Sequence, residues 1–308
     1  MAQQVHIYSI ETINKMKHYY TDSLTTTPQG AIFRAKTPQA VITAYKSGKV
    51  LFQGNAPEAE AARWGEGNPT PEKKKPQAKV SSYTPPATLF TSNHIGSDEA
   101  GTGDYFGPIT VAAAYVEKQH IPLLKELGVK DSKALTDPII RKLSKEIIKL
   151  KIPYSLLVLH NEKYNKLQKR GWSQGKMKAM LHHHAITNLT KKIGNAPLDG
   201  ILVDQFCEPN IYTRHIATEN QRLQDKTYFM TKAESYSIAV ATGSIIARTS
   251  FLNEMDKLSE QIGIELPKGA SQKVDRAIAA VMREKGEEAL NICAKTHFAN
   301  TIKARKYL

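Results

Sequence analysis

Four acidic residues stand where a folded chain seldom spends them. Asp98 and Glu99 end the run "HIGSDE", Asp204 follows the apolar "GILV", and Glu234 sits in "TKAES". A carboxylate in an apolar strand costs several kcal/mol unless something compensates it, and neighbouring carboxylates repel until a cation or a proton intervenes. Taken singly, Asp204 also reads as a strand-end cap and Glu234 as an acid favoured by a helix dipole. Together, at strand ends and strand-to-helix junctions, they occupy the positions where ligands collect in α/β sheets. Oxygen ligands without His or Cys partners select Mg2+ or Mn2+ over zinc. Two such ions about 4 Å apart activate a water and stabilise the leaving oxygen in phosphodiester hydrolysis.

Directly after the acid pair comes "AGTGDYFGP", with Gly101, Gly103, Gly107 and a further acid, Asp104. Glycines let another molecule approach bare peptide N–H groups, so a backbone-reading site is expected beside the metal site. Adjacent strand residues point to opposite faces. Asp98 and Glu99 can therefore converge only where their strand ends. Competing motifs are missing: there is no phosphate-binding loop, and "GTGDYFG" lacks dinucleotide-fingerprint spacing. "HHH" at 182–184 fans around a helix and is not expected to ligate, and His297 is read as structural.

Several elements must position these residues. From His94 on, "HIGSDE" and "PITVAAAYV" read as strands around the glycine turn, followed by a helix in "DPIIRKLSKEIIKL" with Asp137 as its N-cap. "YSLLVL", "GILVDQF" and "KTYFMTK" read as further strands. "SQGKMKAMLHHHAITNLTKKI" and the stretch from "AESYSIAVATGS" onward read as long helices, the latter starting at Glu234. Gly243 in that helix is expected to cost about 1 kcal/mol against alanine. Residues 1–65 read as a small α+β unit with a hairpin in "AVITAYKSGKVLFQG". Arg34, Lys36, Lys46 and Lys49 give it a basic sheet surface with Tyr45 and Phe52 close by. Residues 66–92, with five prolines and a Lys triplet, read as a linker.

The chain has 308 residues and a formal net charge of +14. Residues 1–92 hold 11 Lys/Arg against 6 Asp/Glu and residues 93–308 hold 32 against 23, so both parts are basic. A polyanionic partner is implied, nucleic acid before membrane. No run approaches the roughly 18 apolar residues of a membrane span, and no secretory signal opens the chain. The two cysteines form no spacing pattern, as expected of reduced thiols in a cytoplasmic protein.

"IGSDEAGTGDYFGP", "LGVKDSK", "ILVDQF", "KAES", "SIIAR", "LPKGA" and "THFAN" occur in the order of the type 2 ribonucleases H, and the chain closely resembles their ribonuclease HIII branch. The resemblance covers essentially the whole chain. It implies a ribonuclease H-like mixed sheet with flanking helices over residues 93–308, and an amino-terminal α+β domain resembling the TATA-box-binding protein. It also implies a monomeric, Mg2+- or Mn2+-dependent endonuclease that cuts the RNA strand of RNA–DNA hybrids, leaving 5′-phosphate and 3′-hydroxyl ends. Position by position, Asp98, Glu99, Asp204 and Glu234 match the metal-binding acids. Glu234 and the Gly101-Thr102-Gly103 turn match the HIII form, where the HII form usually has Asp and an intervening Arg. The resemblance gives this turn to reading the ribose 2′-hydroxyl and makes Lys130, Ser132, Lys133 and Lys232 substrate contacts. Two alternatives stay open: incision at single ribonucleotides in duplex DNA, and a hybrid-binding protein without catalysis.

Overall fold

The computed structural model describes residues 2–65, 68–69 and 82–308. It divides into two compact units, 1–79 and 80–308. The amino-terminal unit is a five-stranded antiparallel sheet in the order β2-β3-β4-β1-β5. Its strands are β1 (Ala2–Ile7), β2 (Ala31–Lys36), β3 (Ala40–Tyr45), β4 (Lys49–Gly54) and the short β5 (Asn68–Pro69). Helices α1 (Ile10–Tyr19) and α2 (Pro57–Ala62) supply the rest. Ser9 caps α1 by accepting from the Thr12 amide, which satisfies one of the donors a helix start leaves open. Period-two alternation sends Phe33, Ile42, Val50 and Phe52 into the core with Ile13 and Met16 of α1. Phe52 is therefore core, contrary to its expected place beside the basic surface. Arg34 and Lys36 are exposed on the opposite face, where Thr43 pairs with Arg34 and Leu51.

The second unit is built on a mixed sheet in the order β10-β9-β6-β7-β8. It comprises β6 (His94–Ala100), β7 (Ile109–Val116), β8 (Tyr154–Leu159), β9 (Gly200–Asp204) and β10 (Thr227–Met230). β6, β9 and β10 run parallel, while β7 is antiparallel to both β6 and β8. Helices α3 (Ile121–Glu126), α4 (Asp137–Lys149), α5 (Asn161–Lys169), α6 (Gln174–Ile193), α7 (Pro209–Ala217), α8 (Ile238–Ile262), α9 (Gln272–Lys285), α10 (Leu290–Cys293) and α11 (Asn300–Ala304) complete it. Both sheet faces are covered, which is why "GILV" and "PITVAAAYV" are continuously apolar rather than alternating. Ala112, Ala114 and Val116 face a core shared with α4, α8 and α9. Val111, Ala113, Tyr115 and Val203 face one shared with α6 and α7. Among the described residues no helix is long and apolar enough to cross a membrane.

Four expectations are corrected. Thr136 occupies the N-cap of α4, and Asp137 is its first residue, with its carboxylate on Arg248 and Lys268. Glu234 is not on α8. It lies on a separate 3-10 turn, Ala233–Ser235, and Ser237 caps α8. Of the linker expected at 66–92, residues 66–67 and 70–81 lie outside the described residues. The remainder is partly packed: β5 pairs with β1, the Phe229 amide donates to the Tyr83 carbonyl, and Leu89 is buried against Leu202 and Val240. Apolar Leu89 and Phe90 outweigh the flanking prolines. Finally, Gly243 is a contact residue, because a Cβ there would lie 2.9 Å from the Ala112 carbonyl oxygen and 3.2 Å from that of Gly96.

Gly96 is tighter still. A Cβ on it would lie 2.1 Å from the Val240 nitrogen and 2.3 Å from the Ala239 carbonyl carbon, both rigid backbone. Gly96→Ala is expected to cost about 3 kcal/mol or more in urea unfolding, because helix and strand must separate. Gly243→Ala should cost far less, since a gain of about 1 kcal/mol in helix propensity offsets a milder clash.

Candidate active site

Parity along β6 decides what each acid meets. Ser97 and Glu99 point toward α6, and Asp98 points toward α8, where the Ser244 hydroxyl hydrogen-bonds it. Strand β9 is in parallel register with β6, Gly96 opposite Leu202, so Asp204 follows on the same face as Asp98. Asp204 is the last residue of β9 and accepts from the Ala233 amide at 2.8 Å. That amide belongs to the turn after β10, where Lys232 adopts a left-handed φ of 57° and brings Glu234 in beside Asp204. Asp98 and Asp204 thus stand near the carboxyl ends of β6 and β9, and Glu234 lies just past that of β10.

The same packing sets their electrostatics. Burial, with the charges of Glu99 and Asp204, pushes Asp98 well above the usual carboxylate range, although hydrogen bonds from Ser244 and the Glu99 amide oppose it. Asp204 is pushed up to about 7, mainly by burial and further by Glu234, against the Ala233 amide. Glu234 is 3% exposed. Its Oε1 accepts from Lys133 Nζ at 2.8 Å, while Oε2 is buried with no donor among the described residues.

Glu99 lives in a different world one residue away. Lys178 Nζ donates to its Oε1 at 2.7 Å, and His182 Nε2 lies 2.9 Å from Oε2. Burial works to raise Glu99, but His182 and Lys178 outweigh it and hold the group at about 2. Ser97 Oγ fixes the other nitrogen of His182 at 2.7 Å, and Phe206 lies under both the Lys178 ammonium and the imidazole. Neither Lys178 nor His182 is among the residues expected here. Their i, i+4 spacing on one helix face was the available signal, obscured because His182 opens a triplet. Among the described residues no three acid, imidazole or thiol side chains close around one point. Glu99 is drawn toward α6, and Lys133 covers one oxygen of Glu234.

A cleft of about 430 Å3 opens over Asp98, Glu99 and Asp204 and is walled by Gly101, Thr102, Gly103, Ser132, Lys133, Ser244 and Arg248. The expected turn and "DSK" residues Ser132 and Lys133 are therefore brought together with the acids. Ser132 Oγ is 2.8 Å from Ser244 Oγ. Lys130 and Lys232 are exposed and outside the cleft wall.

Residues 95–301 match the family model described as ribonuclease HII, and residues 3–77 match one described as a domain of unknown function (DUF3378). Curated relatives named ribonuclease HIII are similar along the whole length. The one from Oceanobacillus iheyensis is 60% identical, with 100% of both chains covered. That from Bacillus subtilis is 54% identical, covering 99% of this chain and 98% of its own. A solved structure described as Bst-RNase HIII in complex with Mn2+ has a TM-score of 0.70 at 42% identity, covering 99% of this chain and 98% of that one. The ribonuclease H2 of Pyrococcus horikoshii OT3 shares the fold, with a TM-score of 0.58 at 23% identity over 70% of this chain and 97% of its own.

The raised Asp204 has a consequence for stability. Its folded-state value of about 7 exceeds the ordinary 3.8, so its favourable contribution is complete below about pH 4 and is lost as pH rises through 7. Three pH units convert to about 4 kcal/mol, and partial exposure of the side chain roughly halves that. In chelator at pH 8, Asp204→Asn should therefore melt about 4–8 °C above wild type. The gap should close near pH 4. Equal melting temperatures at pH 8 would contradict this electrostatic picture.

Proposed function

The chain belongs to the ribonuclease HII family, in its ribonuclease HIII branch, and on that premise we propose that it is an endoribonuclease hydrolysing the RNA strand of RNA–DNA hybrids with two divalent ions, Mg2+ or Mn2+. The observation that carries this reading is the set of buried carboxylates at the strand ends beside a glycine turn. These residues suit a hard cation. The orphaned Oε2 of Glu234 and the raised Asp98 and Asp204 are what mutually repelling ligands look like without a cation between them. Asp98, Asp204 and Glu234 would hold the ions, joined by Glu99 from its place against α6. Bound there, such ions supply an activated water and neutralise the leaving oxygen of a phosphodiester.

The remaining chemistry is the chain's own. Gly101, Thr102 and Gly103 line the cleft and their amides donate to no acceptor among the described residues, a suitable arrangement for a ribose 2′-hydroxyl. Lys133, its side chain 74% exposed, is free to move from Glu234 to a phosphate. Lys130 and Lys232 are assigned to the substrate path at the rim. Attack by water on phosphorus, with the P–O3′ bond broken and the 3′-oxygen leaving, would spare the 2′-hydroxyl and give 5′-phosphate and 3′-hydroxyl ends. Each chain carries all four acids, which suits a monomer. The two free thiols, Cys207 and Cys293, suit the cytoplasm. In the domain division we propose, residues 1–65 grip substrate and 93–308 cut, joined by 66–92, of which the described part is partly paired and packed.

Asp98→Asn should lower hybrid cleavage at least ~10³-fold, about 4 kcal/mol in barrier, and reduce the rise in melting temperature that Mn2+ gives wild type. Wild-type protein that binds hybrid and Mg2+ yet leaves RNA uncut would refute the reading. Strong cutting at a single ribonucleotide would instead favour the HII-type activity.

For the amino-terminal unit, replacing Arg34 and Lys36 together by alanine should weaken hybrid binding severalfold. The slope of log affinity against log salt should flatten by about 1–2 units. Fluorescence anisotropy across a salt series checks this, and an unchanged slope removes this face from the substrate path.

A further inference from the structure

Lys295 is fully buried, yet among the described residues no carboxylate forms an ion pair with it. Its Nζ donates to the carbonyl oxygens of Asp104 at 2.7 Å and Gly107 at 2.5 Å. Those carbonyls belong to the far half of the glycine turn. The same oxygen of Gly107 accepts from Asn161 Nδ2 at 2.9 Å, and Gln174 Nε2 donates to the Thr102 carbonyl at 3.1 Å. The Asp104 carboxylate is itself taken by the Gly269 amide at 2.6 Å. Backbone bonds reinforce the frame, with the Gly107 amide on the Cys293 carbonyl and the Lys295 amide on that of Tyr105.

A buried ammonium with no carboxylate in direct contact is an expensive way to tie a loop, and burial pushes Lys295 down to about 7 against the charge of Asp104. An amide such as Asn161 ties a carbonyl at much lower cost. The difference is what lies on the other side of the turn. There Gly101, Thr102 and Gly103 line a cleft shared with Asp98, Glu99 and Asp204, whose charge would draw cations and repel phosphates. Gln174 holds the carbonyl of the peptide joining Thr102 to Gly103, and because that peptide is trans its N–H points the opposite way, away from Gln174. A glycine-rich turn left to itself samples many conformations, whereas recognition needs donors fixed before the ligand arrives.

We propose that Lys295 and Gln174 are positioning residues for substrate recognition, tying the carbonyls of the 101–107 turn rearward so that its amides are held as donors toward the RNA strand. This rests on the activity proposed above and extends it to two residues that touch neither substrate nor metal. Because the turn binds ground and transition states alike, its loss should appear in KM rather than kcat.

The test is steady-state cleavage of an RNA–DNA hybrid by the full chain, with Mn2+ titration calorimetry and thermal melting alongside. Gln174→Glu keeps size but removes the donor, Lys295→Met keeps shape but removes the ammonium, and Lys295→Arg restores charge and donors. Both loss variants should raise KM about 10- to 100-fold with kcat changed less than about 3-fold and Mn2+ affinity unchanged. Lys295→Arg should recover most of the affinity. Should Lys295→Met fail to fold, Gln174→Glu decides alone. Folded variants with lowered melting temperature but wild-type KM would make both residues plain structural ties and overturn the proposal. Wild type run in parallel separates the readings, because inactive wild type refutes the activity instead.

Discussion

Backbone lying directly on backbone, where α8 crosses β6, is the constraint from which the rest of the second unit follows. Gly96 and Gly243 are the two places where a side chain would force strand and helix apart. Close approach puts Ser244 within hydrogen-bonding reach of Asp98 and Ser132, and it seats Ser237 at the start of α8 against His94 Nε2 at 2.7 Å. The turn bearing Glu234 leads into that same helix start. Side-chain positions at the site are therefore set by a main-chain contact with almost no freedom, as a metal site requires.

On this rigid frame the chain treats two adjacent acids in opposite ways. Asp98 is buried beside like charges and is pushed toward its neutral form, whereas Glu99 is gripped by two cationic or proton-donating groups and remains ionised. Strand pleating makes this possible, since neighbours on β6 face different helices. Repulsion is concentrated on the α8 side, where a divalent cation relieves it most. Lys178 and His182 on the α6 side keep the fourth carboxylate charged, and that charge adds to the repulsion felt by Asp98 and Asp204. Mutual repulsion at the strand ends costs stability, a common settlement at functional sites.

Much of this was legible in the sequence because the acids interrupt apolar strands. Asp204 after "GILV" and Asp98 after "HIGS" announce themselves by cost alone, and the glycines beside them announce close approach. Gly96 carried the same signal and passed unremarked, because a glycine within a strand does not say which backbone approaches it. Glu234 was found, but its helix began four residues later than expected, since the Ser237 cap is indistinguishable in sequence from several nearby candidates. The Glu99 clamp was hidden for another reason. Lys178 and His182 meet Glu99 across 79 and 83 residues of chain, and only the packing of α6 on the sheet brings them together. Lys295 is the extreme case, for in "AKTHFAN" a lysine reads as surface, and only the tertiary fold makes it core.

That last residue shows how the two halves of the site differ physically. Acids at the strand ends are positioned by regular structure, whose geometry repeats along the sheet and needs little local support. A glycine turn has no such lattice behind it. Its shape must come from outside, and here four separate segments supply it: Asn161 of α5, Gln174 of α6, the Gly269 backbone, and the Cys293–Lys295 stretch after α10. The carboxy-terminal segments, remote from the acids in sequence, are thereby bound to the glycine turn beside them. The turn thus draws its support from segments far beyond residue 235, although all four acids of the candidate site lie before it.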